Sequence, residues 1–311
     1  MTDQTVQLTG TIFQSVAGFY YVWADGTSYA TKPRGNFRHL NIKPLVGDRV
    51  VFELDTLDEQ SEGRIIEVLD RTSELKRPAV ANVDYAFVVM ALTQPAFSYN
   101  LLDYFLVSME AQGIQPMIIL TKYDLLIEEK GEEKANELVE EIKRVYHQAN
   151  YTVKVFNYQK ESHDQLEALI EKEAIYTVVG QTGVGKSTLL NALIPDVNIQ
   201  TAAISESLNR GRHTTREVTL YRIGHGFVAD TPGFSSMDLS RIEKEQLQQY
   251  FPEIWQEGAY CRFNSCQHIN EPGCHVKQAV EEETIATSRY NNYLDMYEKI
   301  SQAKPVYNRK K

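Results

Sequence analysis

The stretch "GQTGVGKS" (180–187) carries the spacing G-x-x-x-x-G-K-[ST]. An apolar run, "AIYTVVG" (174–180), leads into it and "KSTLLNALI" leads out, the strand-loop-helix context that gives this pattern meaning. Across Gly180, Gln181, Thr182, Gly183, Val184 and Gly185, backbone N–H groups can turn inward on phosphate oxygens, helped by the positive end of the following helix. Lys186 is placed to reach the β- and γ-phosphates, Ser187 to ligate Mg²⁺, and Thr188 to complete the cradle. A purely structural glycine turn does not explain Lys186-Ser187. Downstream, "FVADTPGF" (227–234) ends a strand at Asp230, which can hold Mg²⁺ through a water. The Gly233 N–H can bond a γ-phosphate.

The base is read elsewhere. "ILTKYDL" (119–125) is a strand end followed by a Lys-x-Asp loop. One carboxylate, Asp124, can accept both the N1–H and N2–H₂ donors of guanine, a pair that adenine lacks. Lys122 would lay its stem over the purine, and Thr121 can tie this loop to the phosphate loop. A competing reading, a P-loop ATPase or kinase with an incidental TKYD, is separated by nucleotide preference.

A second constellation is "CRFNSCQHINEPGC", spaced C-x4-C-x-H-x5-C. Cys261, Cys266, His268 and Cys274 supply three thiolates and one imidazole, the donor set of one closed, structural, tetrahedral Zn²⁺ site. His275 is a spare histidine, badly aimed beside a ligand. All three cysteines of the chain lie in this cluster. That argues against a disulfide framework and for a reducing, cytoplasmic compartment.

Several elements must position these groups. Residues 1–71 alternate apolar and polar types, with a hairpin turn at Asp25-Gly26 and further strands at "GDRVVFEL" (47–54) and "GRIIEVL" (63–69). About five short strands suit an OB-type barrel, with another small β-barrel or sandwich as the alternative. Between them lie Lys32, Arg34, Phe37, Arg38 and Lys43 with no acidic residue. Cations with an aromatic suit RNA, the ring stacking on a base; an ordinary solvated loop is the competing reading. Residues 72–236 alternate strands and helices, including a long charged helix "EEKANELVEEIKRVYHQ" and a later one, "SHDQLEALIEK" (162–172). This is the signature of a mostly parallel α/β sheet. Residues 237–311 are helical around the cysteine cluster.

The order of the parts is unusual. The half bearing TKYD (85–172) precedes the half bearing the phosphate loop and DTPG (174–234), whereas ordinary Ras-like G domains have the reverse order. The sequence therefore predicts a circularly permuted Ras-like P-loop G domain, flanked by an N-terminal OB-type β-barrel and a C-terminal helical zinc-binding module. The net charge of -10 repels phosphate backbones at long range, so any nucleic-acid contact must be a local basic patch. No apolar run of eighteen residues and no secretory pattern is present, which excludes a membrane role on this reading. No heptad demands a dimer, and a monomer is expected.

In this combination the chain resembles the ribosome small-subunit-dependent GTPase A (RsgA, or YjeQ) family over nearly its whole length. The marks are "RGNFR" (34–38), "TKYD" (121–124), "GQTGVGKSTLLNAL" (180–193), "GRHTTRE" (211–217), "DTPGF" (230–234) and the cysteine cluster. The resemblance implies GTP hydrolysis coupled to late maturation of the small (30S) ribosomal subunit, with binding to its 16S rRNA. It also makes "GRHTTRE" switch I. Two departures stand out: Thr121 replaces the usual Asn, and "FNYQK" (156–160) replaces a Ser-Ala-type base loop, where no binding residue is carried over. The Gln that often follows DxxG to orient water is Phe234 here, which cannot hydrogen-bond. His213 is the candidate to orient the attacking water, with contact to RNA or to a switch neighbour as the competing reading, and Thr214 or Thr215 the candidate to complete the Mg²⁺ shell. A nucleotide-regulated RNA-binding factor, with hydrolysis only as a release timer, is the second class.

Overall fold

The alternating N-terminal pattern forms β1 (Thr5–Val16), β2 (Phe19–Ala24) and β3 (Thr27–Pro33), followed by β4 (Arg49–Asp55) and β5 (Gly63–Val68). Asp25 and Gly26 both take left-handed backbone, φ 48° and 79°, as a tight hairpin between right-twisted strands requires. The hydrogen-bonded order is β1-β2-β3-β5-β4, and β4 returns to β1 along Thr5–Thr11, so the sheet closes on itself. β3 and β5 run parallel; the other pairs of the barrel are antiparallel. This is the OB-type barrel, filled by the inward residues Ile12, Val22, Val50, Phe52 and Ile65. A short hairpin, β6 (Glu74–Lys76) and β7 (Ala79–Ala81), follows it. Arg71 pins that exit: its guanidinium donates to both oxygens of fully buried Asp48, at 2.7 and 2.8 Å.

These facts come from a computed structural model that describes residues 5–55, 62–76, 79–157, 165, 167–170, 172–194, 218–230, 239 and 242–302. The remaining elements in chain order are β8 (Tyr85–Ala91), α1 (Tyr99–Glu110), β9 (Gln115–Thr121), α2 (Tyr123–Lys130), α3 (Glu132–Gln148) and β10 (Val153–Val155). After them come β11 (Ile175–Val179), α4 (Lys186–Leu193), β12 (Thr219–Ile223), β13 (Gly226–Asp230), α5 (Pro252–Gly258), α6 (His275–Glu281) and α7 (Thr287–Gln302). The expected helix at 162–172 lies largely outside the described residues. By contacts the chain divides into two units: Met1–Tyr85, Glu161–Val178 and Ser187–Phe234 form one, and Ala86–Lys160, Val179–Lys186 and Ser235–Lys311 the other.

In the first unit β13 pairs in parallel with β11 and antiparallel with β12. β1 outruns the barrel, and its Gln14 pairs with Thr219 of β12. In the second unit β10, β9 and β8 are neighbours in that order. Helix α3 buries Ala135, Val139, Ile142, Val145 and Tyr146, a three-and-four spacing that puts one apolar stripe inward. The C-terminal helices pack around Leu247, Phe251, Ile254, Val276, Tyr293 and Met296, with Val107 of α1 in the same core.

One buried ionic cluster joins these parts. Arg289 of α7 is 1% exposed. It donates to Asp103 of α1 at 2.6 Å and to both oxygens of Glu253 of α5 at 2.7 and 3.0 Å. Asp103 also accepts from Tyr146 at 2.9 Å and from Asn292 at 2.6 Å. Burial pushes the Asp103 carboxyl up, and Arg289 opposes that rise. Replacing Arg289 would strand two buried carboxylates. Arg289→Met is expected to cost about 3–5 kcal/mol of stability in urea unfolding, and Arg289→Met/Asp103→Asn/Glu253→Gln to recover part of it. An unchanged midpoint for the single variant would refute the assignment.

Candidate nucleotide and metal sites

The phosphate-type loop leaves β11 at Gly180, whose φ is 146°. A Cβ there would stand 2.4 Å from the Val89 carbonyl oxygen, so only glycine permits this approach to β8. The Lys186 ammonium folds over the loop and donates to the carbonyls of Gly180 and Gln181, at 2.8 and 2.7 Å. Burial lowers its pKa from the usual lysine value. Gln181, Thr182 and Gly183 are exposed and Val184 is buried; Ser187 and Thr188 are exposed on the first turn of α4. Ser187, Thr188 and Asp230 belong to the first unit. Asp230 ends β13, one residue beyond the Thr177–Ala229 pairing. Its side chain, together with Gly233, His213, Thr214, Thr215 and Phe234, lies outside the described residues.

The Lys-x-Asp loop begins where β9 ends. Thr121, 3% exposed, donates its hydroxyl to the Val184 carbonyl at 2.5 Å. This hydroxyl therefore makes the tie to the phosphate-type loop, across sixty-three positions of chain. Lys122 takes left-handed backbone (φ 59°) and its carbonyl accepts from Leu126 N, which starts α2. Its ammonium contacts the Gln94 carbonyl, a partner the sequence reading missed. Nothing in the local pattern around Gln94 signals it. Asp124 sits half-buried in the first turn of α2 and makes no ion pair among the described residues.

The basic segment requires a correction. Phe37 lies in a 3₁₀ turn, Gly35–Arg38, and is only 4% exposed. Its ring packs inward and offers no face to a base. Lys32 pairs with Glu62 at 2.7 Å and stands 4.2 Å over the Phe19 ring. Arg34 is exposed, and the Arg38 side chain is outside the described residues.

The cysteine cluster does assemble. One ligand atom from each of Cys261, Cys266, His268 and Cys274 lies within 4.8 Å of the others. A tetrahedral zinc site wants S···S near about 3.8 Å and S···N near about 3.6 Å, from bond lengths of about 2.3 and 2.0 Å. Cys261 and Cys274 sulfurs are 3.9 Å apart, and His268 Nδ1 is 3.6 and 3.4 Å from them, so the donors fit such an ion. Burial pushes the Cys266 thiol up to about 12 and raises Cys274 as well. A dication among them would supply the charge that ionises such thiols. Burial lowers the His268 pKa, with Glu271 opposing, so the ring stays a neutral ligand. His275 points elsewhere, its Nε2 lying 2.9 Å from Glu257. Tyr290 and Tyr293 of α7 donate to the carbonyls of His268 and Gln267, at 2.6 and 2.8 Å.

A phosphate-type loop, a Lys-x-Asp loop bonded to it and a Cys₃His cluster on one chain invite comparison with known proteins. A sequence profile described as RsgA GTPase matches residues 68–240, and one described as RsgA N-terminal domain matches residues 9–65. The chain belongs to the RsgA GTPase family. A relative from Enterococcus faecalis, named "Small ribosomal subunit biogenesis GTPase RsgA", is 48% identical over 98% of this chain and 99% of its own. A namesake from Limosilactobacillus fermentum is 45% identical over 96% of this chain and 98% of its own. Among solved structures, YloQ, described as a circularly permuted GTPase, superposes with a TM-score of 0.79 at 35% identity, covering 99% of both chains. YjeQ from Thermotoga maritima gives 0.80 at 33% identity, over 96% of this chain and 100% of its own. The protein is thus a GTP hydrolase on a circularly permuted G-domain fold. Among its described residues no helix is long and apolar enough to cross a membrane.

The Thr121 tie yields a direct expectation. Thr121→Val removes the donor and leaves the Val184 carbonyl unpaired. Fluorescent GDP analogue titrations should show about 5- to 30-fold weaker binding, corresponding to about 1–2 kcal/mol, while Thr121→Ser retains affinity. Equal affinity for the valine variant would sink the coupling.

Proposed function

We propose that this GTPase acts in late maturation of the small ribosomal subunit, binding the 30S particle and its 16S rRNA and leaving once GTP is hydrolysed. The near full-length likeness to relatives named for small-subunit biogenesis supports the partner. The observation that carries the chemistry is the hydrogen bond from Thr121 to Val184, which ties the Lys-x-Asp loop to the glycine-rich loop.

On this reading Asp124 accepts both donors of guanine and Lys122 covers the ring, while Thr121 sets their distance from the phosphates. Backbone N–H groups from Gly180 to Gly185 cradle the phosphates, with Gln181, Thr182 and Val184 between the glycines and Thr188 behind them. Lys186 leaves its two loop carbonyls for the β- and γ-phosphates. Ser187, and Asp230 through a water, would hold Mg²⁺, which would supply charge to neutralise the phosphate oxygens. Gly233 bonds the γ-phosphate, and either Thr214 or Thr215 completes the shell. Phe234 cannot orient water, so His213 does so when partner RNA orders its loop. This division of labour favours slow unstimulated hydrolysis, in which the nucleotide also serves as a release timer.

Residues 1–71 form the RNA-binding domain, 72–236 the GTPase domain and 237–311 the zinc domain. Lys32, Arg34 and Arg38 meet RNA phosphates, without Phe37 as a stacking platform. Cys261, Cys266, His268 and Cys274 hold one structural Zn²⁺. The protein works in the cytoplasm as a monomer.

Phosphate release from GTP should rise strongly when purified 30S subunits are added at fixed salt. No stimulation, with GTP still bound, would keep the GTPase and remove the ribosomal partner. Base reading is tested separately by Asp124→Asn. It should weaken GTP at least about 100-fold and favour xanthosine triphosphate, because the carboxylate's pair of acceptors is lost. ATP binding that is equal to GTP binding before and after the change would overturn the guanine assignment.

A further inference from the structure

The imidazole of His268 has two faces in this structure. Nδ1 points at the thiols, 3.6 Å from Cys261 Sγ and 3.4 Å from Cys274 Sγ. Nε2 points the other way and lies 2.8 Å from Oε1 of Gln248. Gln248 is 9% exposed and sits on the 3₁₀ turn Leu247–Tyr250, twenty residues before the histidine. The ring also leans on the end of α5: a Cβ at Gly258 would stand 3.2 Å from both Cε1 and Nε2.

We propose that Gln248 is a positioning residue for the metal, fixing the tautomer and the rotation of His268. The proposal rests on the zinc reading of the cluster given above. A neutral imidazole carries one N–H and one lone pair. An amide oxygen only accepts, so its contact with Nε2 places the proton there and the lone pair on Nδ1, facing the thiols. The opposite tautomer would aim an N–H at the ion. Outer partners of this kind commonly set ligand orientation, and their loss costs about 10- to 100-fold in metal affinity.

The neighbouring contacts do a different job. Tyr290 and Tyr293 grip the carbonyls of His268 and Gln267, and Glu271 accepts from the N–H groups of Gln267, Ile269 and Asn270 at 2.8, 2.8 and 3.0 Å. These bonds hold the main chain, including the left-handed φ of 61° at His268. None of these bonds reaches a ring nitrogen of His268. Among the described side chains, the Gln248 contact acts on the ring nitrogen itself. The amide's own orientation matters too. Turned over, its NH₂ would donate to Nε2 and drive the proton onto Nδ1, the tautomer that cannot bind. A glutamate at this position can only accept, and a methionine of similar length can do neither.

The test uses full-length wild type, Gln248→Met and Gln248→Glu. Zn²⁺ is titrated against a chromophoric chelator, and Co²⁺-substituted samples are read by their visible ligand-field and thiolate charge-transfer bands. Gln248→Met should bind Zn²⁺ about 10- to 100-fold more weakly with an altered cobalt spectrum, and Gln248→Glu should match or exceed wild type. Wild-type affinity in the methionine variant would overturn the proposal. So would equal losses in both variants with circular dichroism unchanged, because the side chain would then be only a packing group. If the methionine variant does not fold, imidazole nitrogen NMR of the zinc-loaded wild type decides. A proton on Nε2 supports the proposal and one on Nδ1 refutes it. Wild type that takes up no zinc at all would instead refute the metal reading itself.

Discussion

The guanidinium of Arg289 is the constraint on which the second unit turns. It cannot shed its charge, and it is almost wholly removed from water. Its position is therefore allowed only where two carboxylates meet it, and those come from α1 and α5, far apart in sequence. Such clusters are weak sources of net stability, because desolvation offsets most of the attraction. What this one supplies is register. If α7 slid by a turn, Arg289 would lose Asp103 and Glu253, Asn292 would lose Asp103, and the rings of Tyr146, Tyr151 and Phe251 would no longer flank a cation. The same helix carries Tyr290, next to Arg289, and Tyr293, one turn on, which donate to the carbonyls of the cysteine-bearing loop. One helix thus makes the contacts to both the cysteine-bearing loop and α1.

The cysteine-bearing loop shows why such docking is needed. Cys266 and Cys274 lie in the module's apolar core, but the loop between them is nearly all polar or turn residues. It cannot bury enough apolar surface to hold itself. Three N–H groups accepted by Glu271 and two tyrosine hydroxyls on carbonyls stand in for the missing hydrophobic contacts, and under the proposed zinc reading a dication among the four donors would add to them.

Local chemistry made much of this legible in advance. The Asp25-Gly26 turn, the amphipathic stripe of α3, the glycine-rich loop and the cysteine spacing each depend on neighbours within a few residues. The Thr121 tie was also inferable, because a hydroxyl in that position has few other uses. Phe37 was misread because a ring among cations looks solvent-facing until the turn at Gly35–Arg38 folds it inward. Lys32 looked free until Glu62, thirty residues on, was brought beside it. The hairpin β6–β7 carries no sequence signal because three-residue strands have no usable periodicity, and α2 begins within the Lys-x-Asp loop itself. Gln248 and Arg289 had no local signal at all. Their partners are fixed by tertiary packing alone.

The course of β1 bears on how the barrel is attached to the rest of the first unit. Over Thr5–Thr11 the strand closes the barrel against β4. Between Ile12 and Gln14 the register with β2 slips by a residue, a bulge that turns the strand and frees its far edge. Gln14 then pairs with Thr219 of β12. β12 begins one residue, Val218, after "GRHTTRE", and β13, its hairpin partner, ends on Asp230, the first residue of "DTPGF". Both segments proposed to sense the γ-phosphate are therefore covalently rooted in a sheet that the barrel's own first strand continues. A sheet shears far less readily than a linker bends, because sliding one strand past another breaks a row of hydrogen bonds together. Under the proposed function, a change in either segment would reach the RNA-facing barrel through that shared strand, with no linker in between to absorb it.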